Sequence, residues 1–256
     1  MAQRDANRSA TALRAFHVLE AVAQHGLPLS VTEISRKIGM DRATCYRMLR
    51  TIEQAGYLVR ESGTKNYQLS RRVLSLAKHL LAEDEGRRLI AQALKRVSTL
   101  TSETCHFSEL DGDSTVLTLR SKGTQLVAVD FQIGERSALH TTSVGKAILA
   151  FQAPDFIDDY LSRPLASSTP HTIVDARRLR SELAAIRTGG VAYDHYELAL
   201  GMKCVAVPVR DTKGEVQSGL SISGPDSRFT EEKLLELGRA LASEAERLER
   251  AAAGEV

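Results

Sequence analysis

Three reactive side chains lie close together in the segment HYELALGMKC, which spans residues 195–204. His195, Glu197 and Cys204 are the residue types of a cysteine nucleophile, its general base and the carboxylate that orients the base. The same types can also hold a small polar ligand without reacting with it. The segment therefore raises two hypotheses, an enzyme that uses Cys204 as its nucleophile and a binding site in which Cys204 forms one wall.

The sequence around Cys204 favours the binding site. The stretch KCVAVPV has the pattern of a buried strand, and no helix N-terminus follows Cys204 to lower the pKa of its thiol. Successive strand residues point to opposite faces, so His195 cannot easily join Asp194 in one site. No further ligand stands nearby at metal spacing, so we predict neither a metal nor a cofactor. We expect Glu197 to hold backbone N–H groups of the loop that ends at Gly201.

Length and composition describe the elements that must position these residues. The chain has 256 residues, of which 43% are hydrophobic and 26% charged, as expected for two ordinary globular domains. It has no apolar run long enough to cross a bilayer and no apolar signal core at its N-terminus. Cys45, Cys105 and Cys204 are widely spaced and fit neither a disulfide framework nor a zinc site. These features predict a cytoplasmic protein without a membrane partner.

Charge is distributed unevenly along the chain. Residues 1–72 contain 12 Lys and Arg against 6 Asp and Glu, a net charge of +6. The remainder contains 22 against 26, a net charge of −4. The small basic part is therefore the candidate for binding a polyanion.

The basic part has the pattern of three helices. The first begins at a Ser or Thr cap at position 9 or 11 and ends at Gly26, and the second has its cap at position 30 or 32 and ends at Gly39. Asp41 caps the third, DRATCYRMLRTIEQAG, in which Cys45 and Met48 fall on the apolar stripe. Two short helices joined by a tight turn that contains Gly make a helix-turn-helix.

The third helix is the predicted reader of the DNA major groove. Arginines suit guanine edges and phosphates, hydroxyls suit either, and alanine can touch a thymine methyl group. Residues 56–70 predict two short strands around the turn 62–64, a wing that places Arg60 and Lys65 beside DNA. The alternative is a small helical interaction module with solvated charges. The side chains predicted to face the groove are Arg42, Ala43, Thr44, Tyr46, Arg47 and Arg50.

Residues 71–85 predict a linker helix between two domains. The segment is amphipathic, and an apolar helix in this position is expected to pack against its counterpart in a second chain. Its alternative role is to cap the larger domain. Its apolar stripe comprises Val73, Leu76, Ala77 and Leu80, widened by Leu74 and Leu81.

The remaining residues predict an α+β domain in which helices cover a sheet. Strands are expected on both sides of the turn 111–113, over TQLVAVDFQ (residues 124–132) and in a hairpin over 204–223. Helices are expected over 87–102, 142–151, 155–161, 175–190 and 230–250. The predicted domains are a winged helix-turn-helix over 1–70, the linker helix over 71–85 and the sheet domain over 86–256.

Three stretches of the chain resemble the IclR-type transcriptional regulators, and the resemblance covers nearly all of the chain. They are ISRKIGMDRATCYRMLRTIEQAGYL, GERSALHTTSVGKAILA and GGVAYDHYELALGMKCVAVPVRDTKGEVQSGLSISGP. The resemblance implies a winged helix-turn-helix joined by a helix to a GAF-like antiparallel-sheet effector domain. It also implies homodimers, often paired into homotetramers, on palindromic operator DNA, with small organic acids or aromatic catabolites as ligands. The most specific residues are the block 145–147 and the spacing of Glu197, Gly201, Cys204 and Pro208 up to Ser221, Ser223 and Gly224.

The resemblance also implies a ligand pocket between the sheet and the loops that hold these motifs. SVGK opens a helix, whose N–H groups attract a carboxylate, and Ser221 and Ser223 alternate along a strand, so their hydroxyls share one side. In the alternative, both serines face outward while Leu220 and Ile222 form the core. The matching positions are Ser143, Val144, Gly145, Asp194, Cys204, Ser221 and Ser223.

Histidines and aromatic residues elsewhere in the sheet domain have simpler expected roles. His106 and His140 each lie beside apolar residues, and we expect both to be hydrogen-bonded structural histidines. Phe107, Phe131 and Tyr193 are candidates for the pocket wall.

Together these patterns predict a ligand-responsive, DNA-binding regulator of a catabolic operon and not an enzyme. The enzyme that uses Cys204 is the alternative, but no nucleophile elbow or papain-like context surrounds that residue. An architectural DNA-binding protein without a ligand is a third hypothesis, and buried hydroxyls and thiols that need partners argue against it. The effector, the operator sequence and the choice between repressor and activator stay open.

Overall fold

The chain divides into two compact units, Met1–Ala82 and Glu83–Val256. The computed structural model describes residues 9–81, 84–129 and 131–254, with side chains described as far as Lys78 in the first of these stretches. The predicted stripe residues 80 and 81 therefore lie outside the described side chains. Within the described residues, no helix is long and apolar enough to cross a membrane.

The first unit contains the predicted helices and the predicted hairpin. Ser9 and Asp41 cap their helices by accepting backbone N–H groups three residues further on, at 3.3 and 2.8 Å. Ser30 caps the second helix in a capping box with Glu33, which settles the choice between positions 30 and 32. The elements are α1 (Ala10–His25), α2 (Val31–Lys37), α3 (Arg42–Gln54), β1 (Leu58–Arg60), β2 (Tyr67–Leu69) and α4 (Val73–Leu81).

Helix α3 has the two faces that its sequence predicts. Cys45, Leu49 and Ile52 are buried in the core of the first unit. The other face is largely exposed. Strands β1 and β2 pair antiparallel beside it, and Gly63 turns the hairpin at φ +80°, a conformation that favours glycine.

Helix α4 lies within the segment predicted as a linker. Val73 and Ala77 are half-buried, whereas Leu74 and Leu76 are 57% and 65% exposed. The exposed leucines leave apolar surface uncovered in a single chain.

The second unit is an antiparallel six-stranded sheet with helices on both faces, which confirms the α+β prediction. The strand order is β5-β4-β3-β8-β7-β6. The strands are β3 (Thr104–Asp111), β4 (Ser114–Ser121), β5 (Arg136–Ala138), β6 (Ala192–His195), β7 (Met202–Arg210) and β8 (Val216–Pro225). The helices are α5 (Glu85–Thr101), α6 (Ser143–Leu149), α7 (Pro154–Leu161), α8 (Ala176–Gly189) and α9 (Glu231–Ala252), with a 3-10 turn at Leu139–Thr141.

The strand predicted over 124–132 is wrong, because the described residues of this range form no strand. The edge of the sheet is formed instead by β5, which pairs with β4. Side chains hold the backbone of the segment: Arg228 donates to the Val127 carbonyl at 2.8 Å, and Arg120 donates to the Phe131 carbonyl at 2.5 Å. Val127 is 63% exposed, so the apolar run does not mark a buried strand.

Alternate residues of the central strands serve opposite faces of the sheet. One face packs against α5 and α9, and the other lies against α6. The first face is apolar and contains Cys105, Phe107, Val205, Val207, Leu220 and Ile222. The second face presents the side chains of His106, Ser108, Cys204, Ser221 and Ser223 to a cavity.

Candidate functional site

The outer face of α3 and the wing form an open groove in the first unit. Arg42, Ala43 and Tyr46 line it from the helix, and Arg60 and Lys65 line it from the wing. Thr44 is half-buried, whereas Arg47 and Arg50 are exposed on the same helix. The fold therefore brings the residues predicted to contact DNA to one side of the first unit.

Hydrogen bonds orient several of these side chains. Arg47 donates to the Thr44 hydroxyl at 3.1 Å. Arg50 and Arg60 both contact Glu53, at 3.0 and 3.4 Å. The sequence reading missed Glu53, because an acidic residue on a basic surface was not taken as a candidate.

A cavity lies between the polar face of the sheet, the segment 131–137 and α6. Of the seven predicted ligand-binding residues, five line it, whereas Gly145 and Asp194 do not. The lining residues are His106, Ser108, Thr115, Leu117, Phe131, Glu135, Ser137, Thr142, Ser143, Val144, Leu198, Cys204, Ser221 and Ser223.

Strand alternation explains which predicted side chains reach the cavity. Ser221 and Ser223 are 5% and 3% exposed and face it, so the reading in which both face outward is wrong. Phe131 lines the cavity, whereas Phe107 and Tyr193 pack against the apolar core on the other face. Of the three residues predicted for the pocket wall, only Phe131 therefore lines the cavity.

Gly145 allows a close packing contact behind the cavity. A Cβ at this position would lie 2.3 Å from the Leu139 carbonyl oxygen, so a larger residue would displace backbone. The Gly145 N–H donates to the Thr142 hydroxyl at 3.0 Å, which caps α6. This N–H is engaged by the cap, while Ser143 and Val144 of the same first turn line the cavity.

Lys146 is the centre of a buried ionic network that the sequence reading missed. Its side chain is 0% exposed, and its Nζ lies 2.7 Å from Glu197 Oε1 and 3.1 Å from Glu182 Oε1. The expectation that Glu197 holds backbone N–H groups is therefore wrong, because its carboxylate binds this ammonium. A buried charge needs such a partner. The sequence feature that could have indicated this buried ion pair is a lysine within the otherwise apolar helix VGKAILA.

The network continues towards the cavity through Asp194. The Glu197 N–H donates to Asp194 Oδ1 at 2.6 Å, and Asp194 is 0% exposed. Burial raises the pKa of Asp194 to about 7, and the nearby Glu197 carboxylate adds to the effect. Within the described residues, Asp194 Oδ2 and Glu197 Oε2 have no hydrogen-bond partner.

Cys204 is a protonated thiol that donates a hydrogen bond. Burial, then the charge of Asp194, raises the pKa of Cys204 well above its usual value. Its Sγ donates to Ser223 Oγ at 3.1 Å. An ionised nucleophile is therefore disfavoured at neutral pH.

His195, Glu197 and Cys204 do not form one site. The His195 side chain is 42% exposed, and its Nδ1 lies 3.8 Å from Glu231, away from Asp194 as strand alternation predicts. Glu197 binds Lys146, and Cys204 binds Ser223.

His106 and His140, the two histidines expected to be structural, lie in different surroundings. His140 is a structural histidine as expected, since its ring nitrogens lie 2.7 Å from the Tyr160 hydroxyl and 2.9 Å from the Ala166 carbonyl. His106 lines the cavity, with its ring edge-on to Phe131 at 5.6 Å between centroids. Across the described part of the chain, no group of three or more His, Cys, Asp or Glu residues could hold a metal ion.

Comparison with known proteins places both parts of the chain in one family. The family model of the bacterial transcriptional regulator IclR C-terminal domain matches residues 80–250, and that of the IclR helix-turn-helix domain matches residues 11–62. The chain is 33% identical over 225 residues to the HTH-type transcriptional regulator KdgR of Escherichia coli (strain K12), covering 88% of this chain and 85% of that protein.

Solved structures share the fold over nearly the whole chain. The IclR of Thermotoga maritima is 31% identical with a TM-score of 0.75, covering 95% of this chain and 98% of that one. An IclR homologue of Microbacterium hydrocarbonoxydans, complexed with 4-hydroxybenzoate, has a TM-score of 0.76 at 23% identity, covering 96% and 100%, and shows the shared fold. The predicted resemblance is confirmed: the chain belongs to the IclR family of bacterial transcriptional regulators.

Proposed function

We propose that this regulator binds a palindromic operator of a catabolic operon and responds to a small organic acid or aromatic catabolite. The observation that carries the proposal is the pairing of two features in one chain. The first unit presents a basic groove, and the second contains a cavity lined by both polar and apolar side chains. The predicted domains, 1–70, 71–85 and 86–256, would then read DNA, link and bind the effector.

The DNA-binding part of the proposal rests on the exposed face of α3 and on the wing. We assign the reading of bases and phosphates to Arg42, Ala43, Thr44, Tyr46, Arg47, Arg50, Arg60 and Lys65. Exposed arginines on a helix that can enter the major groove favour this assignment, since their forks fit guanine edges and phosphates.

Titration of duplex DNA from the region flanking the protein's own gene tests this surface. We expect Arg47→Ala and Arg50→Ala each to weaken binding by about 1 kcal/mol or more. Arg88→Ala is the matched control, because Arg88 is an exposed arginine of α5 in the second unit. If both α3 variants bind as the wild type does, α3 is not the reader.

The effector part of the proposal rests on the cavity. We assign ligand contact to Ser143, Val144, Cys204, Ser221 and Ser223, with Gly145 shaping the first turn of α6 and Asp194 supporting Cys204 from behind. None of the lining residues that the structure describes is Lys or Arg. A carboxylate would therefore be held by hydroxyls and by N–H groups of the first turn.

Ligand-induced melting shifts with a panel of small acids test the cavity. The panel includes 4-hydroxybenzoate, because the Microbacterium homologue is complexed with it. A ligand that raises the melting temperature of the wild type is expected to do so less for Cys204→Ala and Ser221→Ala. Ser181→Ala, an exposed serine on α8, is the control, and equal shifts in all variants would reject the assignment.

The proposed function is not enzymatic. Cys204 is protonated and bonded to Ser223, and His195 points away from it. The relatives reported above are named as transcriptional regulators or IclR homologues. Incubation of the protein with the panel acids and their thioesters, followed by mass spectrometry, is expected to yield no acyl adduct on Cys204.

We further propose that the protein acts in the cytoplasm as a homodimer, with pairing of dimers into homotetramers. Leu13 and Phe16 of α1 and Leu74 and Leu76 of α4 are large, exposed apolar residues that a partner copy could cover. Ligand binding would alter how the effector domain acts on α4, and so the spacing of two recognition helices over two half-sites. Light scattering of the wild type and Phe16→Asp tests the assembly, with a smaller particle expected for the variant.

A further inference from the structure

We propose that Glu53 is a specificity-determining positioning residue, which holds Arg50 of the recognition helix and Arg60 of the wing in one fixed arrangement. The inference rests on the proposed function, because it takes this surface to be the one that binds DNA. It adds an acidic residue to a site whose other charged members are all arginine or lysine.

One carboxylate connects two structural elements. Glu53 Oε2 lies 3.0 Å from Arg50 Nη1, within α3. Glu53 Oε1 lies 3.4 Å from Arg60 Nε, at the end of β1. Each oxygen therefore pairs with a different arginine, and the helix and the wing are joined through Glu53.

Arg60 is also held from its other side. Its Nη2 donates to the Tyr67 hydroxyl at 2.7 Å, and its guanidinium lies over the Tyr67 ring at 5.1 Å. Tyr67 is 0% exposed and belongs to the core of the unit, so it is a rigid anchor. Hydrogen bonds with Tyr46 and Tyr67 raise the pKa of Arg60 above its usual value. The guanidinium is thus fixed by contacts with α3, with β2 and with the carboxylate between them.

The negative charge of Glu53 weakens the attraction of this surface to DNA of any sequence, whereas its contacts with the arginines favour discrimination between sequences. Affinity for any duplex comes mainly from neutralised phosphates, and a carboxylate on the same surface repels them. A pre-oriented arginine, however, loses less side-chain entropy when it forms its paired hydrogen bonds with a base edge. Glu53 should therefore lower affinity for unrelated DNA and increase discrimination between sequences.

A simpler role for Glu53 predicts a different result. The Arg50–Glu53 pair is an exposed contact between residues three apart on a helix, and such pairs contribute little to stability. If Glu53 did no more than this, its removal would change the affinity for all duplexes by a similar factor.

The test compares Glu53→Gln with Glu61→Gln. Both changes remove one negative charge from the first unit, but Glu61 lies in the wing turn, where its carboxylate accepts the Thr64 hydroxyl at 2.8 Å. The wild-type protein first selects its preferred sequence from a random duplex library. Binding of that sequence and of a scrambled duplex of the same composition is then titrated at several salt concentrations.

We expect both variants to bind the scrambled duplex a few-fold more tightly than the wild type. The ratio of selected to scrambled affinity should fall by about tenfold in Glu53→Gln, the size of one misplaced base contact, and stay unchanged in Glu61→Gln. Arg60→Lys, which keeps the charge but loses the planar fork, should lower the ratio in the same way.

Two outcomes overturn the inference. If Glu53→Gln keeps the wild-type ratio, or if Glu61→Gln lowers it equally, Glu53 does not position the arginines. Failure of the wild type to select any sequence would instead count against the proposed function itself. The two failures are therefore distinguishable.

Discussion

The two faces of the six-stranded sheet are made from the same strands and both pack against helices, yet in the described part of the chain only one of them carries a polar cavity. The face towards α5 and α9 is filled with apolar side chains. The face towards α6 carries hydroxyls, a thiol and an imidazole around a cavity, together with the ion pairs of the buried Lys146 and an apolar cluster formed with α6 and α8. The contrast indicates that the first face serves packing alone, whereas the second combines packing with a polar cavity and buried ion pairs.

The largest effect is expected where a buried charge loses its partner. Lys146→Met leaves Glu197 buried and uncompensated, and we expect the free energy of unfolding of the second unit to fall by about 3–5 kcal/mol. The double variant Lys146→Met/Glu197→Gln removes both charges and should recover most of this loss. Urea unfolding, followed by circular dichroism, measures both variants. A single variant as stable as the wild type would contradict the role given to the network.

On the apolar face, the expected loss comes from a cavity. Leu220 is 0% exposed and packs in the core, so Leu220→Ala should lower the free energy of unfolding by about 2–5 kcal/mol. Leu235→Ala on α9 is the control, because Leu235 is 54% exposed. Similar losses in the two variants would mean that this face is not the tightly packed one.

The raised pKa of Asp194 predicts that the free energy of unfolding depends on pH through a group on the polar side of the sheet. Its pKa rises from 3.8 to about 7 on folding, so between these values the folded chain keeps a proton that the unfolded chain releases. Its contribution to stability is therefore full at low pH and is lost as pH rises towards 7, by at most about 1.4 kcal/mol per pH unit.

Asp194→Asn lacks this titration, so the comparison with the wild type isolates it. We expect the difference in unfolding free energy between the two proteins to change steadily from about pH 5 to 7 in favour of the variant. A constant difference over this range would show that Asp194 ionises normally.

The smallest effect on stability is expected at the cavity itself. Ser221 lines the cavity and takes no part in the apolar core, so Ser221→Ala should change the free energy of unfolding by less than about 1 kcal/mol. Leu220→Ala, one residue away, is the matched comparison. A large loss in Ser221→Ala would indicate that this hydroxyl serves packing rather than recognition.

Elements with a strong local signal were predictable from the sequence. Capping residues, apolar stripes and strand alternation located α3, the wing hairpin and the opposite orientations of Ser221 and Leu220. These signals depend on residues a few positions apart, so the conformation of the local backbone is enough to produce the structure that they predict.

Contacts between distant residues were not predictable in the same way. Lys146 meets Glu197 across 51 positions, and Arg228 reaches the Val127 carbonyl across 101. The second contact helps to explain why an apolar run forms no strand. The first explains why the Glu197 carboxylate does not bind backbone N–H groups of its own loop. Glu53 was not predicted, because in a count of net charge an acidic residue only lowers the positive total. Its contacts with Arg50 and Arg60 become visible only in the folded structure.

The two-sided construction of β8 has a consequence for how the family can diversify. Ser221 and Ser223 face the cavity, while Leu220 and Ile222 face the core. Substitutions at alternate positions of β8 therefore affect mainly one face of the sheet each. A new side chain at 221 can change the shape and chemistry of the cavity without disturbing the apolar core, whereas one at 223 would also remove the acceptor of the Cys204 thiol. A descendant of this protein could therefore reshape its cavity through point mutations on one side of β8 while the apolar core on the other side stays intact.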